Sequence, residues 1–182
     1  MGGEPLSIVH VRKGLDVLKD TKLINIYGPS ENTNITTAYP IPDDLPAETI
    51  SIPIGYPING STCEVFDENL KPLSDGTPGE LITFGEGLAL EYLNNPEMTA
   101  ERFISIKCSD GINRRGYRSG DLVIKRDDGC YEFLGRKDKQ VKIDGHRIEP
   151  GEIEQILNRL KQIAEARVVV KKGPLGQKRL AA

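Results

Sequence analysis

Between Gly116 and Glu154 the chain sets charged residues into glycine-bracketed turns between β-branched runs. That alternation restricts it to a sheet-rich fold that displays its polar groups at strand ends. The first stretch is Gly116-Tyr117-Arg118-Ser119-Gly120-Asp121-Leu122, and the second runs from Leu134 to Glu154. A core needs none of these charges. Simple physics gives a turn presenting Asp121, a strand, and a second charged turn from Arg136 to Lys139 that leads into a hairpin. A carboxylate suits sugar hydroxyls and cations suit phosphates, so a polar anionic ligand fits the set. The alternative is a series of solvated hairpin turns, and spacing alone leaves both readings open.

An earlier stretch, Asn25-Ile26-Tyr27-Gly28-Pro29-Ser30-Glu31, closes a short alternating strand with a polar turn. Tyr27 offers a flat face for a base, Ser30 a hydroxyl, and Glu31 a hard oxygen for a divalent cation. Gly-Pro-Ser is also ordinary turn chemistry. Together these stretches resemble the adenylate-forming enzymes, specifically the amino-acid adenylation domains of nonribosomal peptide synthetases. The family pattern Y-R-T-G-D-L is met from Tyr117 to Leu122, with Ser119 where Thr is usual. Its pattern G-R-x-D-x-Q-V-K-I-x-G-x-R-I-E-P-x-E-I-E is met at each fixed position from Gly135 to Glu154. The turn at Asn25 to Glu31 is similar to N-x-Y-G-P-T-E, again with Ser for Thr. Gly79 to Phe103 follows a further family pattern, with Glu91 where Gly is common.

The resemblance implies roles residue by residue. Asn25 and Tyr27 would contact the adenine, Ser30 the phosphate and Glu31 the Mg²⁺ ion. Asp121 would hold the ribose hydroxyls, Phe133 would pack on the nucleotide side where Tyr is usual, and Arg136 would lie near ribose and phosphates. Ser30, Glu31 and Arg136 are the expected catalytic residues. Ile26, Asn34 and Ile35 would line the amino-acid pocket, and Asp138 matches the hinge about which a small C-terminal subdomain swings. The implied activity is ATP-dependent formation of an aminoacyl-AMP, then loading onto the phosphopantetheine arm of a carrier protein. Its partners would be the amino acid, the carrier domain and neighbouring synthetase domains. An acyl-CoA or carrier-protein ligase of the same superfamily is the alternative enzyme, and a non-catalytic structural fragment the alternative from another class.

The family's Gly/Ser/Thr/Lys phosphate-binding loop and its last motif, with the catalytic lysine, have no counterpart among these 182 residues. The chain is therefore expected to be a fragment, inactive alone and prone to self-association through uncovered apolar surface. Charged residues make up 28% of it at a net charge of −3, which gives no electrostatic case for nucleic acid or an acidic membrane. Three widely spaced cysteines, Cys63, Cys108 and Cys130, form neither a disulfide framework nor a metal pattern, as expected in the cytoplasm.

The expected fold is mixed α/β and β: the edge of a large α/β subdomain over residues 1–37, an open distorted β-barrel over 38–137, and part of a mobile α+β subdomain over 138–182. A helix capped by Ser7 should run to about Leu18, with Leu6, Val9, Leu15 and Leu18 inward and Arg12 in water. The proline-rich stretch from Ala38 to Pro57 should be an irregular connector. Asn95 should cap a helical turn that starts at Pro96, and Leu93, Met98 and Phe103 should be core.

Overall fold

The computed structural model describes residues 2–137, 140–143, 146–148, 150–160, 162–163, 165–173 and 178–182. Asp138, and Asp144 and Gly145 of the expected hairpin turn, lie outside the described residues. The chain divides into two compact units, Met1–Lys137 and Asp138–Ala182.

The first unit opens with helix α1 (Ile8–Val17), whose Ser7 cap makes no side-chain hydrogen bond. Its buried residue is Val11, packed with Leu23, Ile41 and Ile52, whereas Val9 is 73% exposed. Leu6 and Leu15 pack against this cluster as expected, whereas Val9 and Leu18 stand exposed. The Arg12 guanidinium donates to the carbonyls of Leu45, Pro46 and Ala47 at 2.6–3.0 Å. The proline-rich segment is therefore a lid on α1. Strands fall at its two ends: β1 (Ile24–Tyr27) pairs antiparallel with β2 (Thr37–Pro40), which pairs with β3 (Tyr56–Pro57).

The larger sheet contains β4 (Ser61–Phe66), β5 (Gly79–Gly85), β6 (Phe103–Lys107), β7 (Asn113–Lys125) and β8 (Tyr131–Arg136), all paired antiparallel. Residues of β5 serve two cores: Leu81 joins Ile54, Cys63, Val65, Val123 and Tyr131, whereas Ile82 and Phe84 join Phe66, Ile106 and Cys108. Between β5 and β6, helix α2 (Pro96–Arg102) starts as the sequence dictates, with Asn95 Oδ1 accepting from the Met98 N–H at 3.1 Å. Phe103 is buried as expected. Leu93, ahead of the helix, and Met98, on a helix that buries none of its own residues, are not, at 85% and 40% exposed.

The second unit pairs β9 (Val141–Ile143) with β10 (His146–Ile148), followed by α3 (Pro150–Asn158). It ends in a hairpin of β11 (Val169–Lys172) and β12 (Lys178–Ala181). Lys171, Lys172 and Lys178 stand in these two strands. No helix among the described residues is long and apolar enough to cross a membrane.

Candidate functional site

β7 is irregular where its polar residues cluster. Its register against β5 shifts between Glu80 and Ile82, and Gly120 takes φ 72°, which is open to glycine at little cost. The Ser119 hydroxyl fixes this bulge. It donates to the Leu81 carbonyl at 2.7 Å and accepts the Asp121 N–H at 3.0 Å. Beyond the bulge, Asp121 lies opposite Arg136 across the β7–β8 ladder.

That placement brings distant residues together. Arg136 Nη1 donates to Asp121 Oδ1 at 2.6 Å, and the Tyr27 hydroxyl donates to Asp121 Oδ2 at 2.5 Å. Burial first, and the Asp121 carboxylate second, hold the Tyr27 phenol well above its ordinary range, so it remains a donor. Phe133 flanks the same apolar cluster as Tyr27. Asn25 lies on the Tyr27 face of β1 and donates its amide to the Pro53 carbonyl at 2.7 Å, tying the strand to the segment before β3.

The turn after β1 is a short 3₁₀ segment, Ser30–Asn32. Ser30 stands exposed, while Glu31 is buried and accepts the Tyr92 hydroxyl at 2.5 Å on Oε1. Asn34 is exposed with φ 65°. Ile35 lines a cleft of about 330 Å³ with Asn32, Thr33, Ile58 and Gly87, among others. Ile26 and Asn34 are not among the residues that line that cleft.

Two participants escaped sequence reasoning. Tyr92 lies inside the patterned stretch from Gly79 to Phe103, and its signal was only that a half-buried tyrosine needs a partner for its hydroxyl. Glu80 is 2% exposed and binds Arg118 at 2.9 Å and Lys137 at 3.4 Å. A carboxylate so buried requires cations nearby, and the run from Arg136 to Lys139 was the signal for them. Among the described residues no group of three or more His, Cys, Asp or Glu forms a metal cage. The cysteines are buried and unbridged, and burial pushes the Cys63 thiol up to about 12.

The profile of the family described as AMP-binding enzyme matches residues 1–93. A linear gramicidin synthase of Brevibacillus parabrevis is 49% identical over 182 residues, and tyrocidine synthase 3 of the same organism is 44% identical over 182. In each case all of this chain is covered, and it spans only 2% and 3% of those relatives' lengths. Among solved structures, holo-PA1221, an NRPS protein containing adenylation and PCP domains, aligns with a TM-score of 0.89 at 35% identity. That alignment covers 98% of this chain and 31% of the other. The artificially fused adenylation–PCP di-domain NpsA-ThdA from Klebsiella oxytoca gives 0.82 at 31% identity, covering 98% and 33%.

Proposed function

The chain belongs to the AMP-binding enzyme family, and from that premise we propose that it is part of an ATP-dependent amino-acid adenylation domain of a nonribosomal peptide synthetase. The observation that carries this reading is the meeting of Tyr27, Asp121 and Arg136 from three separate stretches of sequence. In the proposed reaction the amino-acid carboxylate attacks the α-phosphate of ATP, pyrophosphate leaves, and an aminoacyl adenylate results. The thiol of a phosphopantetheine arm then attacks the acyl carbonyl and AMP departs.

Each residue has a physical part. Ribose hydroxyls join or replace the donors now on Asp121. Arg136 offsets negative charge that moves onto the phosphates, and Ser30 presents a hydroxyl at the same end of β1. Tyr27 and Phe133 supply the faces against which a base packs. A single carboxylate, Glu31, fits Mg²⁺ without a protein cage, because that ion keeps waters and takes substrate phosphates as further ligands. When bound, Mg²⁺ neutralises phosphate charge. Ile26, Asn34 and Ile35 face the amino acid in this reading, and Asp138 is the hinge, which the division after Lys137 supports. The carrier partnership is supported by the adenylation and PCP domains of the solved neighbours.

The 182 residues alone are proposed to be silent, since they include neither a glycine-rich phosphate loop nor the family's lysine motif. Each such group is worth orders of magnitude in rate. Amino-acid-dependent ATP–pyrophosphate exchange tests this on the chain and on a version extended at both ends to the span of its solved neighbours. Exchange in the extended version only is the expected result, and exchange by neither version removes the adenylation reading. In the extended version Asp138→Pro should spare either exchange or thioester loading, and equal loss of both removes the hinge assignment.

A further inference from the structure

We propose that Tyr92 is a positioning residue that holds the Glu31 carboxylate in the orientation a divalent cation requires. The inference rests on Glu31 being the cation ligand, and it concerns how this chain prepares that ligand. The segment between β5 and α2 crosses the turn after β1 and touches Glu31 twice. The Ala89 N–H donates to the Glu31 main-chain carbonyl at 2.8 Å, and the Tyr92 hydroxyl donates to the carboxylate at 2.5 Å. One contact fixes the backbone and the other fixes the rotation of the side chain.

The strap is itself held from two sides. Arg115 on β7 donates to the carbonyls of Ala89 at 2.9 Å and Leu90 at 2.5 Å, and its guanidinium lies 4.6 Å from the centre of the Phe103 ring. From α2, Thr99 Oγ1 accepts the Tyr92 N–H at 3.0 Å, and the Thr99 hydroxyl returns to the Asn95 carbonyl at 2.8 Å. The Tyr92 ring packs edge-on against Phe103 at 5.6 Å, and its oxygen lies 3.3 Å from that of Tyr117. A ring with its backbone and both neighbours fixed delivers its hydroxyl to one place. The hydroxyl donates to Oε1 of the Glu31 carboxylate and so fixes the plane in which that group meets a ligand. Hydrogen bonds of this kind orient ligating carboxylates, and their loss costs about 10- to 100-fold in metal affinity.

The test is Mn²⁺ affinity in the presence of ATP, read by water-proton relaxation on the chain extended at both ends, for the parent, Tyr92→Phe, Tyr117→Phe and Glu31→Gln. Glu31→Gln should weaken Mn²⁺ most, Tyr92→Phe by about tenfold, and Tyr117→Phe by less than about twofold, since it leaves the Tyr92–Glu31 bond intact. Weakening by Glu31→Gln beside an unchanged or tightened Tyr92→Phe would overturn the proposal and leave Glu31 as the ligand. No effect of Glu31→Gln would overturn the cation reading beneath it. A second measurement needs no folded Tyr92 variant. Adding Mn²⁺ to the ATP-saturated parent should perturb the near-ultraviolet absorption of a buried tyrosine, and Glu31→Gln should abolish that change. A parent spectrum unmoved by saturating Mn²⁺ also overturns the proposal.

Discussion

Ser119 holds the bulge that aims Asp121, and it does so with one hydroxyl used as donor and acceptor. Both partners are main-chain groups at a residue 3% exposed. Ser119→Ala should therefore cost about 1–3 kcal/mol, the penalty for stranding buried polar groups. Urea denaturation of the variant measures this, and a change below about 0.5 kcal/mol, the usual range for surface substitutions, would show that the bulge holds itself. The family pattern carries Thr at this position, and Ser retains the hydroxyl on which the geometry depends. At this scale the sequence was informative wherever chemistry was displayed. Asp121, Arg136 and Tyr27 were all identifiable, and Tyr27 and Arg136 both meet Asp121. It was silent on Tyr92 and Glu80, because their importance lies in partners 61 and 38 positions away along the chain.

Local signals at the level of elements were the dependable ones. Asn95 followed by Pro96 predicts a helix start from its own side chain and fixed φ, and α2 begins there. The inner face of α1 was legible at Leu6 and Leu15 but not at Val11, since the segment that covers it looked like a connector and is held there by Arg12 reaching three carbonyls. β7 shows the same dependence on packing. A methyl added at Gly116 would lie 2.5 Å from Phe84 and 2.7 Å from Ile82, both in a core on which β5 and β6 converge. Gly116→Ala should destabilise the fold by about 1–3 kcal/mol through overpacking while leaving the Tyr27–Asp121–Arg136 contacts in place. A thermal melt at or above that of the parent would show that the sheet yields at this point.

For the whole molecule, stability should depend on pH at the alkaline end. Burial raises Tyr27 and Tyr131 above the ordinary phenol value of 10.0, and Cys63 from 9.0 to about 12. A group whose folded value is raised adds stability that is complete below its unfolded value and is lost as pH rises through the folded one. Chemical denaturation should therefore give a flat stability at pH 7–8 and a fall that begins at about 9, as the unfolded thiol and then the phenols ionise first. A profile still flat at pH 11 would contradict the burial of these groups. The division of the chain after Lys137 could not be read from composition, yet it falls beside the position that the motif from Gly135 to Glu154 marks.

Asp121 as a nucleotide ligand carries the adenylation reading most directly. Calorimetric ATP binding should be compared between the chain extended at both ends and its Asp121→Ala variant. Loss of hydrogen bonds to a charged acceptor predicts a fall of about tenfold or more in affinity, with the fold intact by circular dichroism. An unchanged affinity would remove Asp121 from the site, and with it the constellation on which the adenylation reading rests.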